Sequence, residues 1–104
     1  MVYAIDFDGT IVTDKFPEIG KEIPGRIEKL KRLQERGDKL ILWTCRNGDM
    51  LAPAVEWCRE RGLVFDAVNE NLPEVKERWG GDTRKVYCDF YVDDKNLHTQ
   101  FLDL

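Results

Sequence analysis

Four carboxylates follow apolar segments of the sequence at the points where strands would end. Asp6 and Asp8 come directly after an apolar segment near the N-terminus, and Asp93 and Asp94 follow an aromatic-rich segment that ends at Val92. Held a few ångströms apart, such carboxylates would repel one another by several kcal/mol. A bound divalent cation relieves this repulsion, and oxygen ligands with space left for water suit Mg²⁺. These residues therefore predict a magnesium site.

Each acidic pair also has a simpler interpretation. An Asp-x-Asp-Gly sequence after a strand often forms only a turn, and an Asp-Asp pair often caps a helix. Both pairs, however, follow predicted strands in the same way. Because the carboxyl ends of parallel strands meet at one edge of a sheet, this coincidence favours the metal site.

The strands that must position these residues are short and almost wholly apolar. Such runs are typical of strands that are buried on both faces of a parallel sheet. The predicted strands are Val2 to Phe7, Leu40 to Trp43, Leu63 to Phe65 and Val86 to Val92. Since helical patterns separate the strands, we expect right-handed βαβ units. The predicted fold is α/β, a three-layer, Rossmann-like parallel sheet with helices on both faces.

Three helices are predicted between the strands. The first opens at Pro24 and ends before Gly37, with apolar residues at helical spacing. The second follows a polar turn, carries Pro53 in its first turn and ends near Gly62. The third covers Leu72 to Trp79, and the tail from residue 96 to 104 is ambiguous, with one helical turn as an option. The sequence predicts that Trp43, Trp57 and Trp79 belong to the core or to an interface.

Length and composition limit the classes of function. The chain has 104 residues and a formal net charge of −4, so we expect one domain, residues 1–104, with no general attraction to nucleic acid. The sequence contains neither an apolar run that could span a membrane nor a secretory start, and its three cysteines form no CxxC pair. These features predict a cytoplasmic protein with reduced thiols.

The chain resembles the haloacid dehalogenase-like (HAD) hydrolase superfamily. The first motif of that superfamily, Asp-x-Asp-x-Thr after a strand, matches the segment from Asp6 to Thr10. A Thr or Ser after the next strand matches Thr44, and an acidic pair after the last strand matches Asp93 and Asp94. These motifs occur in the superfamily's order and cover most of the chain.

The resemblance implies a Mg²⁺-dependent phosphatase that acts through an aspartyl-phosphate. Asp6 would attack the phosphorus, and Asp8 would act as acid and then as base. Thr44 would donate its hydroxyl to a phosphoryl oxygen. The metal ligands would be Asp6, the backbone carbonyl of Asp8, and one member of the pair Asp93 and Asp94. The candidates for binding the phosphorylated substrate are Gly9, Thr10, Cys45 and Arg46.

The third motif of the superfamily is a Lys or Arg that neutralises the phosphoryl group. Lys85 is the choice for this role, with Arg84 and Lys76 as rivals. Arg46 could hold phosphate through two parallel hydrogen bonds, or could be an ordinary exposed loop residue. A cysteine phosphatase based on Cys45 is rejected, because such enzymes need an Arg several residues later and position 51 is Leu.

The resemblance points to a member without a cap domain. Neither residues 10–23 nor residues 66–82 are numerous enough to form a separate folded unit. An uncapped site is open to solvent, so either a bulky substrate or a neighbouring subunit would cover it. Homo-oligomerisation is therefore one of the expected arrangements.

Two other functions remain open at the level of sequence. A phospho-accepting receiver domain also groups acidic residues, Thr and Lys around Mg²⁺, but its phosphorylated Asp follows a middle strand. A catalytically silent module could keep the same scaffold for binding metal or phosphate. For a receiver, the third predicted strand offers Asp66 and Asn69 near its end, but the segment from Asp6 to Thr10 fits the hydrolase better. The silent module is disfavoured by four intact residues, Asp6, Asp8, Thr44 and Asp93.

Overall fold

The computed structural model describes residues 1–103 and contains one parallel sheet of four strands in the order β3-β2-β1-β4. The strands are β1 (Val2–Ile5), β2 (Lys39–Leu42), β3 (Ala67–Val68) and β4 (Phe90–Val92). In β1, Ile5 lies opposite Leu42 of β2 on one side and Val92 of β4 on the other. The predicted α/β class with a parallel sheet is therefore confirmed.

Three α-helices separate the strands, as the apolar spacing predicts. They are α1 (Arg26–Glu35), α2 (Gly48–Glu60) and α3 (Pro73–Trp79). After α1 the chain turns at Gly37, which has a φ of +101° that favours glycine. A 3₁₀ helix at Thr99–Asp103 supplies the helical turn considered for the tail, whose last residue, Leu104, lies outside the described residues.

Alternation along β1 sends neighbouring side chains into two different hydrophobic clusters. Ile5 belongs to a cluster that includes Leu30 of α1 and Cys58 of α2. Ala4 belongs to a smaller cluster formed with Ile41, Leu72 and Val86. Burial of each aliphatic side chain contributes roughly 1.5–3 kcal/mol to the stability of the folded chain. Because the two clusters take side chains from opposite faces of β1, both stabilise the sheet.

The third strand does not lie where the sequence predicts it. Leu63 donates its N–H to the carbonyl of Cys58 at the end of α2, and its side chain is buried in the larger cluster. The carboxylate of Asp66 then accepts the N–H of Leu40 at 2.8 Å, in the place where a backbone carbonyl of a neighbouring strand would accept it. Pairing with β2 through a regular ladder begins only at Ala67. The prediction of a strand at Leu63 to Phe65 is therefore wrong.

Other predicted boundaries and positions also need correction. Helix α2 begins at Gly48, so Pro53 lies in its second turn rather than its first. Strand β4 begins at Phe90 rather than at Val86, which instead packs in the smaller cluster. Trp43 and Trp57 pack against the core, whereas Trp79 is 69% exposed and does not.

The strand order places a switch point beside β1. The chain passes from β1 to β2 on one side and returns later to β4 on the other. In open parallel sheets, ligands bind at the carboxyl ends of the strands near such a point. Asp6, Thr44 and Asp93 all follow the strands that meet there. Within residues 1–103, no helix has the length and apolar character needed to cross a bilayer.

Candidate active site at the carboxyl edge of the sheet

A cavity of about 310 Å³ lies at the carboxyl ends of β1, β2 and β4. Five carboxylates line it, those of Asp6, Asp8, Asp14, Asp93 and Asp94. The remaining lining residues are Phe16, Thr44, Cys45, Arg46 and Lys95. The structure therefore brings together seven of the predicted site residues, Asp6, Asp8, Thr44, Cys45, Arg46, Asp93 and Asp94, in one cavity.

Asp6 is held at the start of the loop that follows β1. Its N–H donates to the carbonyl of Val92 at 2.9 Å, which continues the pairing with β4. Its Oδ2 accepts the hydroxyl of Thr10 at 3.1 Å, and Thr10 is itself buried. Partial burial and the neighbouring charge of Asp93 raise the pKa of Asp6 to about 6. Thr10 therefore orients Asp6 and does not line the cavity, so its location does not support the predicted role of Thr10 in binding substrate.

Arg46 is saturated by contacts within the protein. Its Nε and Nη2 donate to the two carboxylate oxygens of Asp8 at 2.8 and 2.7 Å. Its other donors reach the carbonyls of Pro17, Glu18 and Met50 at 2.9–3.2 Å. Since a guanidinium has five N–H groups, none remains for phosphate. The structure thus assigns Arg46 to holding Asp8, in place of the predicted contact with substrate.

Gly9 gives the acidic strand ends the space to approach each other. Its φ is +86°, in the left-handed region, and its N–H donates to the carbonyl of Val12 at 2.7 Å. A Cβ built at this position would overlap the carboxylate of Asp94, with Cγ only 2.7 Å away. Gly9 therefore serves the site through backbone conformation and close packing rather than by lining the cavity.

Lys95 lines the cavity and contacts both carboxylates of the acidic pair at the end of β4. Its N–H donates to Oδ1 of Asp93 at 2.9 Å, and its Nζ lies 3.3 Å from Oδ2 of Asp94. Burial opposes ionisation of Asp94, but hydrogen bonds led by that from Lys95 hold the pKa of this carboxyl below its ordinary value. Because only one contact occupies the ammonium at hydrogen-bond distance, Lys95 has N–H groups left for a ligand.

Thr44 is fixed through its backbone by a residue from β3's carboxyl end. The N–H of Thr44 donates to Oδ1 of Asn69 at 2.8 Å, while the Asn69 amide donates to the carbonyl of Arg46 at 3.0 Å. The Thr44 hydroxyl oxygen accepts the Arg46 N–H at 3.2 Å, which leaves the hydroxyl proton free to donate. Asn69 therefore holds the loop that carries Thr44 to the cavity.

The predicted phosphoryl-binding cation, Lys85, does not line this cavity. Asp89 already pairs with Val2 at the amino end of β1, and Lys85 comes four residues earlier. Lys85 instead lines a separate cavity of about 460 Å³, with its Nζ 5.9 Å from the centre of the Tyr91 ring. Its rivals are engaged elsewhere, Lys76 with Glu70 and Arg84 with Asp82. The prediction of Lys85 as a site residue is therefore not supported by its location.

Three carboxylates lie close enough together to hold a divalent cation. Asp6, Asp93 and Asp94 each offer an oxygen, and these oxygens lie within 4.8 Å of one another. All three are hard oxygen donors, which fits Mg²⁺. Burial first, and then the charge of Asp93, raise the pKa of Asp6, and a bound cation would offset both effects. The carboxylate of Asp8 is not in this group because both of its oxygens bind Arg46.

Sequence reasoning missed the contributions of Phe16, Asp14 and Lys95 to the cavity. Phe16 and Asp14 belong to the loop between β1 and α1, which the sequence treats only as irregular. Lys95 had a visible signal, because it directly follows the acidic pair at a strand end. No sequence pattern indicates that the loop between β1 and α1 folds back so that Asp14 and Phe16 line the cavity at the end of the sheet.

Comparison with known proteins gives one relative. No protein-family model matches the chain, and no curated protein matches it either. Among solved structures, the chain is similar to a conserved protein from Bacteroides thetaiotaomicron, with 48% sequence identity and a TM-score of 0.85. The similarity covers 93% of this chain and 78% of that one.

Proposed function

We propose that this chain, which belongs to the same family as the conserved Bacteroides thetaiotaomicron protein, is a Mg²⁺-dependent phosphomonoester hydrolase of the HAD type. The observation that carries the proposal is the group of oxygens from Asp6, Asp93 and Asp94, which lie within 4.8 Å of one another beside Asp8 and Thr44. One open cavity thus contains a carboxylate that could act as nucleophile, a group of carboxylates that could bind a metal ion, and hydrogen-bond donors. This combination suits phosphoryl transfer.

Asp6 is the proposed nucleophile. One of its oxygens is held by Thr10, so the other is available for attack on phosphorus. The new bond joins this oxygen to phosphorus while the ester P–O bond breaks. Water then attacks the aspartyl-phosphate, which releases phosphate and regenerates the carboxylate of Asp6.

Asp8 is the proposed acid and base. It would give a proton to the departing ester oxygen in the first step and would take one from the attacking water in the second. Arg46 holds both oxygens of Asp8 and so fixes the direction from which a proton arrives or leaves. Arg46 is therefore a residue that positions Asp8 and not a phosphate ligand.

Asp6, Asp93 and Asp94 would hold Mg²⁺. When bound, the ion would offset the charge of these carboxylates and of the phosphoryl oxygens. Thr44 would donate its hydroxyl to a phosphoryl oxygen, and Lys95 would supply the positive charge that the sequence analysis assigned to Lys85. Among the described residues lining the cavity, Lys95 is the cation with unused donors.

The three-layer arrangement and the absence of a cap are parts of the same proposal. The two hydrophobic clusters, one joined by α1 and α2 and the other by residues of α3, support helices on both faces. Residues 10–23 form only isolated bridges, and residues 66–82 contain only β3 and α3. A cytoplasmic location, like a phosphorylated substrate, remains part of the proposal.

The decisive experiment measures hydrolysis of p-nitrophenyl phosphate with and without Mg²⁺. We expect metal-dependent turnover that Asp6→Asn abolishes, because an amide cannot act as the nucleophile. Asp14→Asn is the matched control, since Asp14 lines the same cavity but does not belong to the three-carboxylate group.

The alternative functions predict different results. A folded protein that binds Mg²⁺ but hydrolyses neither this ester nor a broad panel of phosphate esters would contradict the hydrolase and favour the silent module. A receiver domain would instead accept phosphate without turnover at a residue after a middle strand. The carboxylate that a receiver would use here is that of Asp66. It does not fit, because β3 is an edge strand and the Asp66 carboxylate accepts the N–H of Leu40.

A further inference from the structure

Phe16 provides an apolar surface at the mouth of a cavity that is otherwise strongly polar. The residue is 57% exposed, yet it lines the same cavity as the carboxylates. Apart from Phe16 and Cys45, the lining side chains are charged or carry a hydroxyl. A single exposed Phe is ordinary on a protein surface, but this one lies where the non-phosphate part of a substrate would project.

The ring of Phe16 is supported from beneath by Arg46. The guanidinium carbon lies 5.1 Å from the centre of the Phe16 ring and 5.2 Å from that of the buried Phe7 ring. The Arg46 side chain is only 1% exposed, so the cation on the inner face of the exposed Phe16 ring is itself buried. A cation beneath an aromatic ring attracts it electrostatically, and burial strengthens the attraction.

The backbone around Phe16 is held by the same side chain. Arg46 donates to the carbonyls of the next two residues, Pro17 at 3.2 Å and Glu18 at 2.9 Å. The N–H of Glu18 also donates to the carbonyl of Lys15 at 3.0 Å. The backbone that carries Phe16 is therefore held in place before any ligand binds, which lowers the entropy lost on binding.

From this arrangement we propose that Phe16 is a stacking surface that selects phosphate esters with a planar aromatic ring in the leaving group. The inference rests on the proposed function of the neighbouring carboxylates. A planar aromatic ring can stack on the exposed face of Phe16 in an offset geometry and gains an attraction beyond surface burial that a saturated ring of similar size lacks. Phe16 is thus assigned as a specificity-determining residue of the hydrolase.

The test compares benzyl phosphate with cyclohexylmethyl phosphate. Both esters have a primary alkoxide as leaving group, and the saturated ring is the more hydrophobic, so simple burial would not favour the aromatic ester. We expect the wild type to prefer benzyl phosphate by about tenfold in kcat/KM, mainly through KM, as stacking energies of this type predict. Phe16→Leu should bring the ratio close to one, and Phe16→Tyr should restore it.

Phe101→Leu is the matched control, because Phe101 is similarly exposed but lies in the 3₁₀ helix outside the cavity. This variant should keep the wild-type ratio. A wild-type ratio near one, or an unchanged ratio in Phe16→Leu, would overturn the proposal.

A binding measurement separates this proposal from the proposed hydrolase. Benzylphosphonate and cyclohexylmethylphosphonate cannot be hydrolysed at an ester bond, and their affinities can be compared by calorimetry in the presence of Mg²⁺. If neither ester is hydrolysed, the hydrolase proposal fails, and the two affinities then decide the stacking surface alone. A preference for benzylphosphonate that is lost in Phe16→Leu would support it, and equal affinities would exclude it.

Discussion

The carboxylate of Asp6 combines the chemical role proposed for it with a cost to folding. Burial and the charge of Asp93 raise its pKa from 3.8 to about 6. The folded protein therefore binds a proton more tightly at this group than the unfolded chain does. With no cation bound, stability contributed by this group is present at acid pH and falls as the pH rises from about 4 through 6.

This linkage gives a prediction for Asp6→Asn. Above pH 6 and without Mg²⁺, the variant should melt a few °C above the wild type, because about 1 kcal/mol shifts Tm by roughly 4–8 °C in a domain of this size. Below pH 4 the difference should disappear, since the carboxyl is then protonated in both states. Thermal denaturation from about pH 3 to pH 8 in the presence of a chelator would measure it.

Magnesium supplies the control for this prediction. Added Mg²⁺ should raise the Tm of the wild type by binding the folded state, and should raise that of Asp6→Asn much less. If metal-free Asp6→Asn melts below the wild type at pH 8, the ionised carboxylate of Asp6 does not destabilise the folded protein, and the prediction is wrong. Equal stabilisation of both proteins by Mg²⁺ would remove Asp6 from the metal ligands.

At the scale of the elements, the turn after β1 sets the distance between two strand ends. Gly9 has the backbone conformation that L-residues avoid, and its missing side chain leaves room for Asp94 at the end of β4. The loop is therefore a spacer between β1 and β4 as well as a connection. Its effect on the group of carboxylates formed by Asp6, Asp93 and Asp94 can be separated from strain in the backbone of Gly9.

Gly9→Ala and Gly25→Ala form a matched pair for that separation. Gly25 has a similar φ of +82°, but no atom lies within 4 Å of a Cβ built there. Both variants should lose about 1–2 kcal/mol through left-handed strain. Gly9→Ala should in addition weaken Mg²⁺ binding and turnover by at least tenfold because Asp94 must move. Chemical denaturation and Mg²⁺ titration would measure the two effects, and equal Mg²⁺ affinities in the two variants would contradict this account.

At the scale of the whole molecule, Arg46 ties two segments that are distant in sequence to the start of the helix that follows it. It joins Asp8 after β1, the carbonyls of Pro17 and Glu18 in the long loop, and that of Met50 in α2. Removing one partner of a buried ion pair leaves an uncompensated charge and typically costs about 3–5 kcal/mol. The same side chain thus supports the global fold and the proposed site.

Arg46→Lys tests this dependence with the charge retained. A lysine has three N–H groups on one atom and cannot reproduce five bonds to four residues. We expect a loss of about 2–4 kcal/mol in the free energy of unfolding, measured in urea. Arg59→Lys is the control, since Arg59 is exposed and pairs only with Glu56, and it should lose less than about 1 kcal/mol. Similar losses in both variants would show that burial of Arg46 contributes little.

Periodicity predicted the parts of the fold that depend on local pattern. Apolar residues at helical spacing located α1 and α2, and short apolar runs located β1 and β2. The third strand was misplaced because Leu63 packs in the core while Asp66 replaces a backbone group in the sheet. A local pattern cannot distinguish an apolar run that forms a strand from one that fills a core.

The candidate site was predictable where residues follow strands directly. Asp6, Thr44, Asp93 and Asp94 reach one cavity because parallel strands bring their carboxyl ends together. Lys85 does not line this cavity, because it precedes β4 in the sequence while the cavity lies at the carboxyl end of that strand. The partners of Arg46 lie 4 to 38 positions away in the sequence, so only the folded chain reveals that this side chain is saturated.

The position of β4 has a consequence for the behaviour of the protein in concentrated solution. This strand forms one edge of the sheet, and Phe90, Tyr91 and Val92 are all exposed. An open edge with apolar side chains is a template on which a second polypeptide can add a strand. Self-association through this edge is therefore expected at high protein concentration, and Val92→Lys is the substitution that would oppose it.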